Sequence, residues 1–130
     1  MIENLKPEVI EAMLDSMPIE ISFVNKNDIV SYFNKNGDRI FPRPRSVIGK
    51  KVMQCHPSKS LNKVIQILDA FKRGERNVAE FWINLDGKKI YIRYFPVRDK
   101  NGNYLGTLEV SQDITDIRNI EGEKRLLDWK

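Results

Sequence analysis

The stretch Asp99-Lys100-Asn101-Gly102-Asn103-Tyr104-Leu105-Gly106-Thr107-Leu108-Glu109-Val110-Ser111-Gln112-Asp113-Ile114-Thr115 decides how this chain is read. Asp99 to Gly102 gathers the residue types that close tight turns. Tyr104–Gln112 then supplies a strand. From Asp113 the period becomes helical, with Ile117, Ile120, Lys124 and Leu127 at heptad-like spacing. Just upstream, Val78–Leu85 and Lys88–Val97 flank Asp86-Gly87, the strongest short hairpin signal in the sequence. The second half is therefore predicted as three antiparallel strands followed by a C-terminal helix over 114–130.

Working back toward the N-terminus, a helix is predicted after Pro57, with Ser58 or Ser60 as its cap. Leu61, Val64, Ile65, Leu68 and Phe71 form its apolar face, and Gly74 stops it. The segment Asn34 to Gln54 holds Gly37, Pro42, Pro44 and Gly49, which leaves room only for short helical turns near Asp38–Phe41 and Ser46–Gln54. Before it, Ile19–Val24 and Ile29–Phe33 flank Asn25-Lys26-Asn27-Asp28 and read as a second hairpin. Residues 1–17 read as an amphipathic N-terminal helix, firm from Pro7 to Ser16 and closed by Pro18. The order is helix, two strands, short helices, one long helix, three strands, helix.

Length and composition narrow the function classes. At 130 residues and 41% hydrophobic, the chain can bury one core and is too short for two ordinary domains. No stretch approaches the ~20 apolar residues of a membrane span, and Glu3, Lys6, Glu8 and Glu11 interrupt any signal-peptide core. The lone Cys55 suits a reducing compartment, so a cytoplasmic domain is expected. The net charge is +4, with Lys35, Arg39, Arg43, Arg45, Lys50 and Lys51 clustered. Acids are scattered through the other half, and no aromatics interleave with the basic run as on a single-strand platform. Neither nucleic acid nor membrane is read as a partner.

The order of elements, with five antiparallel strands split two and three around a helical segment, resembles a PAS domain. Val47-Ile48-Gly49-Lys50 is similar to the segment leading into the E helix of that family. Asp99–Gly102 followed by Tyr104-Leu105-Gly106 resembles the turn between its last two strands. Asp113-Ile114-Thr115 is similar to the Asp-Ile-Thr signature that ends the core and starts the signalling helix. The likeness covers about residues 14 to 118 and implies an α+β fold. In that fold, short helices and one long helix pack on one face of a five-stranded antiparallel sheet, with a core over 18–113. Phe41-Pro42-Arg43-Pro44-Arg45, Cys55-His56-Pro57-Ser58-Lys59-Ser60, Phe81-Trp82-Ile83 and Tyr91–Phe95 carry a narrower resemblance. They look like the C-terminal PAS domain of an uncharacterised prokaryotic family, where it follows a hemerythrin-like helical domain. The resemblance thus implies an upstream hemerythrin-like domain in the full-length chain.

Candidate chemistry can be weighed residue by residue. Cys55 and His56, being adjacent, are poorly placed to chelate one metal together, and no further ligands are spaced for a zinc site. A single axial ligand suffices for haem, and haem-binding PAS domains commonly use a His of the long helix. His56, with Cys55 beside it, is thus the candidate cofactor ligand, against a plain reading as a turn and capping element. The flavin-adduct branch carries a Cys three positions after the Gly of the Ile-Gly segment, and a Gln two after the Gly of the last strand. Here those positions are Val52 and Leu108, which argues against a flavin adduct.

Arg43, Arg45 and Lys59, from the segment closing the cavity, and Trp82, Arg93 and Tyr94, from the strands, are candidates for a ligand pocket. Such cationic donors over an apolar floor would suit a small carboxylate or phosphate. Strand alternation forbids Arg93 and Tyr94 from both facing it. No nucleophile–base pair stands out, so no enzyme is predicted. The expectation is a sensory or regulatory domain, homodimeric, that binds a small ligand and signals through Asp113, Ile114 and Thr115 into the flanking helices. Two alternatives stay open. One is a haem-binding redox or gas sensor. The other is a ligand-free dimerisation module whose cavity is filled by Phe23, Phe33, Phe81, Trp82 and Phe95.

Overall fold

A computed structural model describes residues 1–35 and 37–130; Asn36, inside the irregular Asn34–Gln54 stretch, lies outside the described residues. The elements are α1 (Pro7–Ser16), β1 (Glu20–Asn25), β2 (Val30–Phe33), α2 (Ser58–Lys72), β3 (Ala79–Leu85), β4 (Lys88–Arg98) and β5 (Tyr104–Asp113). The five strands form one antiparallel sheet in the order β2-β1-β5-β4-β3. The predicted α+β class and five-stranded sheet are thus present, with β5 at the centre because the N- and C-terminal hairpins meet along β1 and β5.

Alternation assigns the two faces. Ser22 opposes Glu109 and Tyr94 opposes Glu109, so these three share the inner face. Phe23 and Phe95 both oppose Leu108, and Trp82 opposes Tyr91, on the outer face. Helix α2 lies on the inner face, burying Val64, Leu68 and Phe71. Val30, Val52, Val64 and Leu68 form the core cluster. Arg98 Nη2 donates to the Phe71 carbonyl at 2.8 Å, and Lys72 pairs with Asp28 at 2.8 Å. These contacts tie the C-terminal end of α2 to β4 and to the β1–β2 turn, where an α-helix leaves carbonyls unpaired.

The irregular segment folds for reasons its prolines did not reveal. In place of a helical turn at Asp38–Phe41, the amides of Ile40 and Phe41 donate to the Glu20 carboxylate. Glu20 is 5% exposed and lies beside Arg39, whose side chain is 2% exposed, at 3.7 Å. Arg39 also donates to the carbonyls of Asn34 at 2.7 Å, Phe41 at 3.1 Å and Ile21 at 3.3 Å. Asn34, fully buried, accepts from Ile21 N at 2.7 Å and donates to the carbonyls of Leu14 and Ile19. Short 3-10 turns occur at Arg45–Val47 and Val52–Cys55. Between them Gly49 N donates to Val30 O, Val30 N to Lys50 O and Val52 N to Asp28 O. That ladder hangs the segment along β2, and Gly49, at φ +91°, makes the bend a side chain would strain.

Two expectations need correction. Neither Ser58 nor Ser60 caps α2 through its side chain; Pro57 is its N-cap. The C-terminal helix expected over 114–130 does not form. A 3-10 turn at Ile117–Asn119 is followed by irregular chain to Lys130. Ile120 and Leu127, the intended seam, are 73% and 71% exposed. Gly122 sits at φ +65° in the middle of the span. A short helix with no surface to pack on is marginal in water, and Gly inside it costs about 1 kcal/mol more.

Candidate functional site

Between the inner face and the helical segment lies a cavity with a free volume of about 40 Å³. Its apolar wall is made by Val24, Val30, Val47, Val52, Val64 and Leu68, with Ile67 at its edge. Its polar lining is Ser22, Arg43, His56, Tyr94, Thr107 and Glu109, and Cys55 completes it. Strand geometry explains the polar cluster. Ser22, Tyr94 and Glu109 sit on adjacent strands at one level, while Thr107 lies two residues from Glu109 on the same face.

Arg43 reaches in from the Pro42-Arg43-Pro44 loop and donates from Nη2 to Glu109 Oε1 at 2.8 Å. The two side chains are 23% and 15% exposed. Arg43 Nε is buried and has no hydrogen-bond partner. Such a donor costs free energy unless something in the cavity accepts from it. Burial pushes the Tyr94 phenol above its ordinary range, and the Glu109 carboxylate pushes it the same way. Burial also lowers the His56 imidazole below its ordinary 6.5, so it is neutral at pH 7. Its Nδ1 lies 3.5 Å from Ser60 Oγ.

Of the predicted pocket residues, the structure brings Arg43, Tyr94, Cys55 and His56 together and leaves four outside. Arg45 is exposed and borders a separate surface groove with Tyr32 and Ile48. Lys59 is exposed on the first turn of α2. Trp82 is 66% exposed on the outer face. Arg93 is on that face too, stacked over the Tyr91 ring at 4.7 Å and the Phe95 ring at 5.6 Å. Its position follows from Tyr94 facing inward. Phe23, Trp82 and Phe95 are likewise outward, so they do not fill the cavity, which aliphatic side chains pack instead. Glu109 was missed as a site residue. The signal was an acid between Leu108 and Val110 in a strand otherwise read as buried, where a carboxylate needs a partner.

The residues present do not fit haem. A pocket for a molecule of that size needs at least about 300 Å³, several times the free volume here, and Val30, Val52, Val64 and Leu68 occupy the space as core. Among the described residues no group of three or more His, Cys, Asp or Glu could hold a metal ion.

At the far end of β5, Asp113 Oδ1 accepts from Thr115 N at 3.0 Å and from Thr115 Oγ1 at 2.5 Å. Thr115 Oγ1 in turn accepts from Lys89 N at 2.9 Å, and Ile114 N donates to Lys89 O at 2.9 Å. The three residues thus lock the chain leaving β5 onto the start of β4. The hydrogen bonds from Thr115 hold the Asp113 carboxyl below the usual carboxylate range.

An open antiparallel sheet in this strand order, with a helical segment closing a small cavity on its inner face, is the architecture of a PAS domain. Residues 10–115 match the PAS domain family, and the chain belongs to it. It is similar to the C-terminal domain of a Streptococcus mutans protein, with 35% identity and a TM-score of 0.84, over 90% of this chain and 91% of that one. The PAS domain of BvgS from Bordetella pertussis shares 19% identity at a TM-score of 0.60, covering 84% of this chain and 86% of that one. A sensory box sensor histidine kinase from Vibrio cholerae shares 14% at 0.57, covering 83% and 90%. At these last identities the likeness is one of fold. No curated protein matches the chain. No helix among the described residues is long and apolar enough to cross a membrane.

Proposed function

We propose that this chain is a sensory or regulatory PAS domain, not a catalyst, which binds a small molecule in the inner cavity and passes the change to its flanking segments. The observation that carries the reading is the Arg43–Glu109 pair at the polar wall, with Arg43 Nε buried and unpartnered beside an apolar pocket. A closed core would pack such a donor away or satisfy it. The fold-level likeness to a sensory box histidine kinase agrees with a sensory role. The proposed relay is Asp113, Ile114 and Thr115, which join β5 to the chain that leaves the domain.

A second copy is the proposed partner, supported by the exposed Trp82, Ile120, Leu126, Leu127 and Trp129. The resemblance of the sequence adds an upstream hemerythrin-like domain, and the reading as a whole suits a cytoplasmic regulator. The test is a screen of small fragments by ¹H–¹⁵N NMR on wild type and on Val64→Phe, which fills the cavity. Fragment-induced shifts at Val30, Thr107 and Glu109 that vanish in a folded Val64→Phe protein are expected. Shifts confined to other surfaces, with Val64→Phe simply more stable than wild type, would sink the reading. That second pattern belongs to a ligand-free dimerisation module, which the small free volume of about 40 Å³ favours.

A further inference from the structure

The sequence alone pointed to a small anion, because six cationic or aromatic side chains were expected around the pocket. The structure removes Arg45, Lys59 and Arg93 from it. Arg43 and Glu109 are then the charged groups among the lining residues, and they neutralise each other at 2.8 Å. His56 and Tyr94 face the same space as neutral groups. An entering anion would meet Glu109 at contact range, and an entering cation would meet Arg43. Either would shed its water for a place with no net charge to receive it, a cost that falls on an ion and not on a neutral molecule.

A neutral molecule escapes that penalty and can use both partners. Arg43 Nε offers a donor with nothing to bond, fixed by a loop that two prolines stiffen. Glu109 offers an acceptor on the same wall. The apolar part of the lining, with Val30, Val52, Val64 and Leu68, suits an apolar substituent. The free volume of about 40 Å³ is enough for a few atoms, since a single water needs about 10–15 Å³.

Resting on the cavity reading above, we infer that the ligand is a small neutral molecule of amide type. Its carbonyl oxygen accepts from Arg43 Nε, its adjacent N–H donates to Glu109, and its apolar end lies against the valine wall.

Acetamide, acetate and acetamidinium test this directly, being nearly identical in size and shape and differing in charge. Each is titrated into ¹⁵N-labelled protein, wild type, Glu109→Gln, Arg43→Gln and the double variant, with dispersed spectra as the check on folding. In wild type, acetamide is expected to shift the amides of Thr107, Glu109 and His56 saturably, at least about tenfold more tightly than either ion. In Glu109→Gln the order turns toward acetate, in Arg43→Gln toward acetamidinium, and in the double variant acetamide leads again. Acetate binding these residues as well as acetamide in wild type overturns the neutral class while leaving the cavity reading intact. Silence from all three in a well-dispersed spectrum overturns the class as well, and the cavity reading is then judged by the Val64→Phe screen alone.

Discussion

Replacing Arg39 by Met removes the guanidinium beside a buried carboxylate and so tests what holds the loop that delivers Arg43. Glu20 would remain 5% exposed, still accepting from Ile40 N and Phe41 N but without the guanidinium 3.7 Å away. Three carbonyls, of Ile21, Asn34 and Phe41, would lose their Arg39 donor at the same time. Removing one partner of a buried pair costs about 3–5 kcal/mol, a large share of the roughly 5–15 kcal/mol that stabilises an ordinary domain. With a urea slope of about 2 kcal/mol/M, the midpoint should fall by about 2 M at unchanged slope. Glu20→Gln with Arg39→Met should cost less than the sum of the two single changes, because the unpaired charge is then gone. Urea denaturation followed by far-ultraviolet circular dichroism, on all four proteins, reads both quantities. A loss below about 1 kcal/mol for Arg39→Met, or strict additivity, would refute the assignment of this pair as the loop's anchor.

Other perturbations probe separate parts of the molecule. Burial lowers the His56 pKa below 6.5, so the unfolded chain binds a proton that the folded one refuses. Stability should therefore fall as pH drops through the unfolded value and level off below the folded one, and a denaturation series from about pH 7.5 to about pH 5.5 should show a flatter slope in His56→Gln; identical slopes would count against a buried neutral imidazole. Gly106→Ala should unfold readily or lose several kcal/mol, since a Cβ there would overlap the Val24 carbonyl oxygen and the Phe23 ring; a thermal melt like wild type would show that the strands can part to admit it. Thr115→Val should cost about 1 kcal/mol and speed hydrogen exchange of the Lys89 amide, which Thr115 Oγ1 accepts; protection unchanged at Lys89 would remove Thr115 from the relay. Hemin titrated from 300 to 700 nm should give no saturable Soret band that depends on His56, and a stoichiometric one would show that the valine core opens.

The order of elements was legible because each carries a local signal: Pro7 and Pro18 around α1, Gly74 after α2, Asp86-Gly87 between β3 and β4. The resemblance carried by Asp99–Gly102 and Asp113-Ile114-Thr115 then chose the fold. The cavity was only half legible. Tyr94 and Arg93 could be sorted as one in and one out, but which faced in depended on register with Glu109, a pairing of distant segments. Arg43 and Arg45 looked alike in sequence, and only the loop's anchoring at Glu20 and Arg39 separates the one inside from the one in solvent. The C-terminal segment misled because heptad spacing states what a helix would bury, not whether anything is there to bury it.

Glu109 and Asp113 lie four residues apart on β5, on the strand that pairs with both β1 and β4. Whatever separates Arg43 from Glu109 acts on the central strand, since Arg43 is its link to the loop held by β1 through Glu20 and Arg39. A ligand that bonds Arg43 Nε and Glu109 while their own hydrogen bond stays in place binds the closed arrangement better than the freed one, and so holds the loop against β5. One that takes the place of their hydrogen bond favours a loop freed from β5. The Thr115 lock on Lys89, at the other end of the same strand, is where that difference would first become visible outside the cavity. Under the proposed function, the groups that recognise the ligand are thus also those that hold the loop against β5, and the two kinds of ligand move it in opposite directions. Arg43 and Glu109 fill both roles, lining the cavity and joining the loop to the central strand.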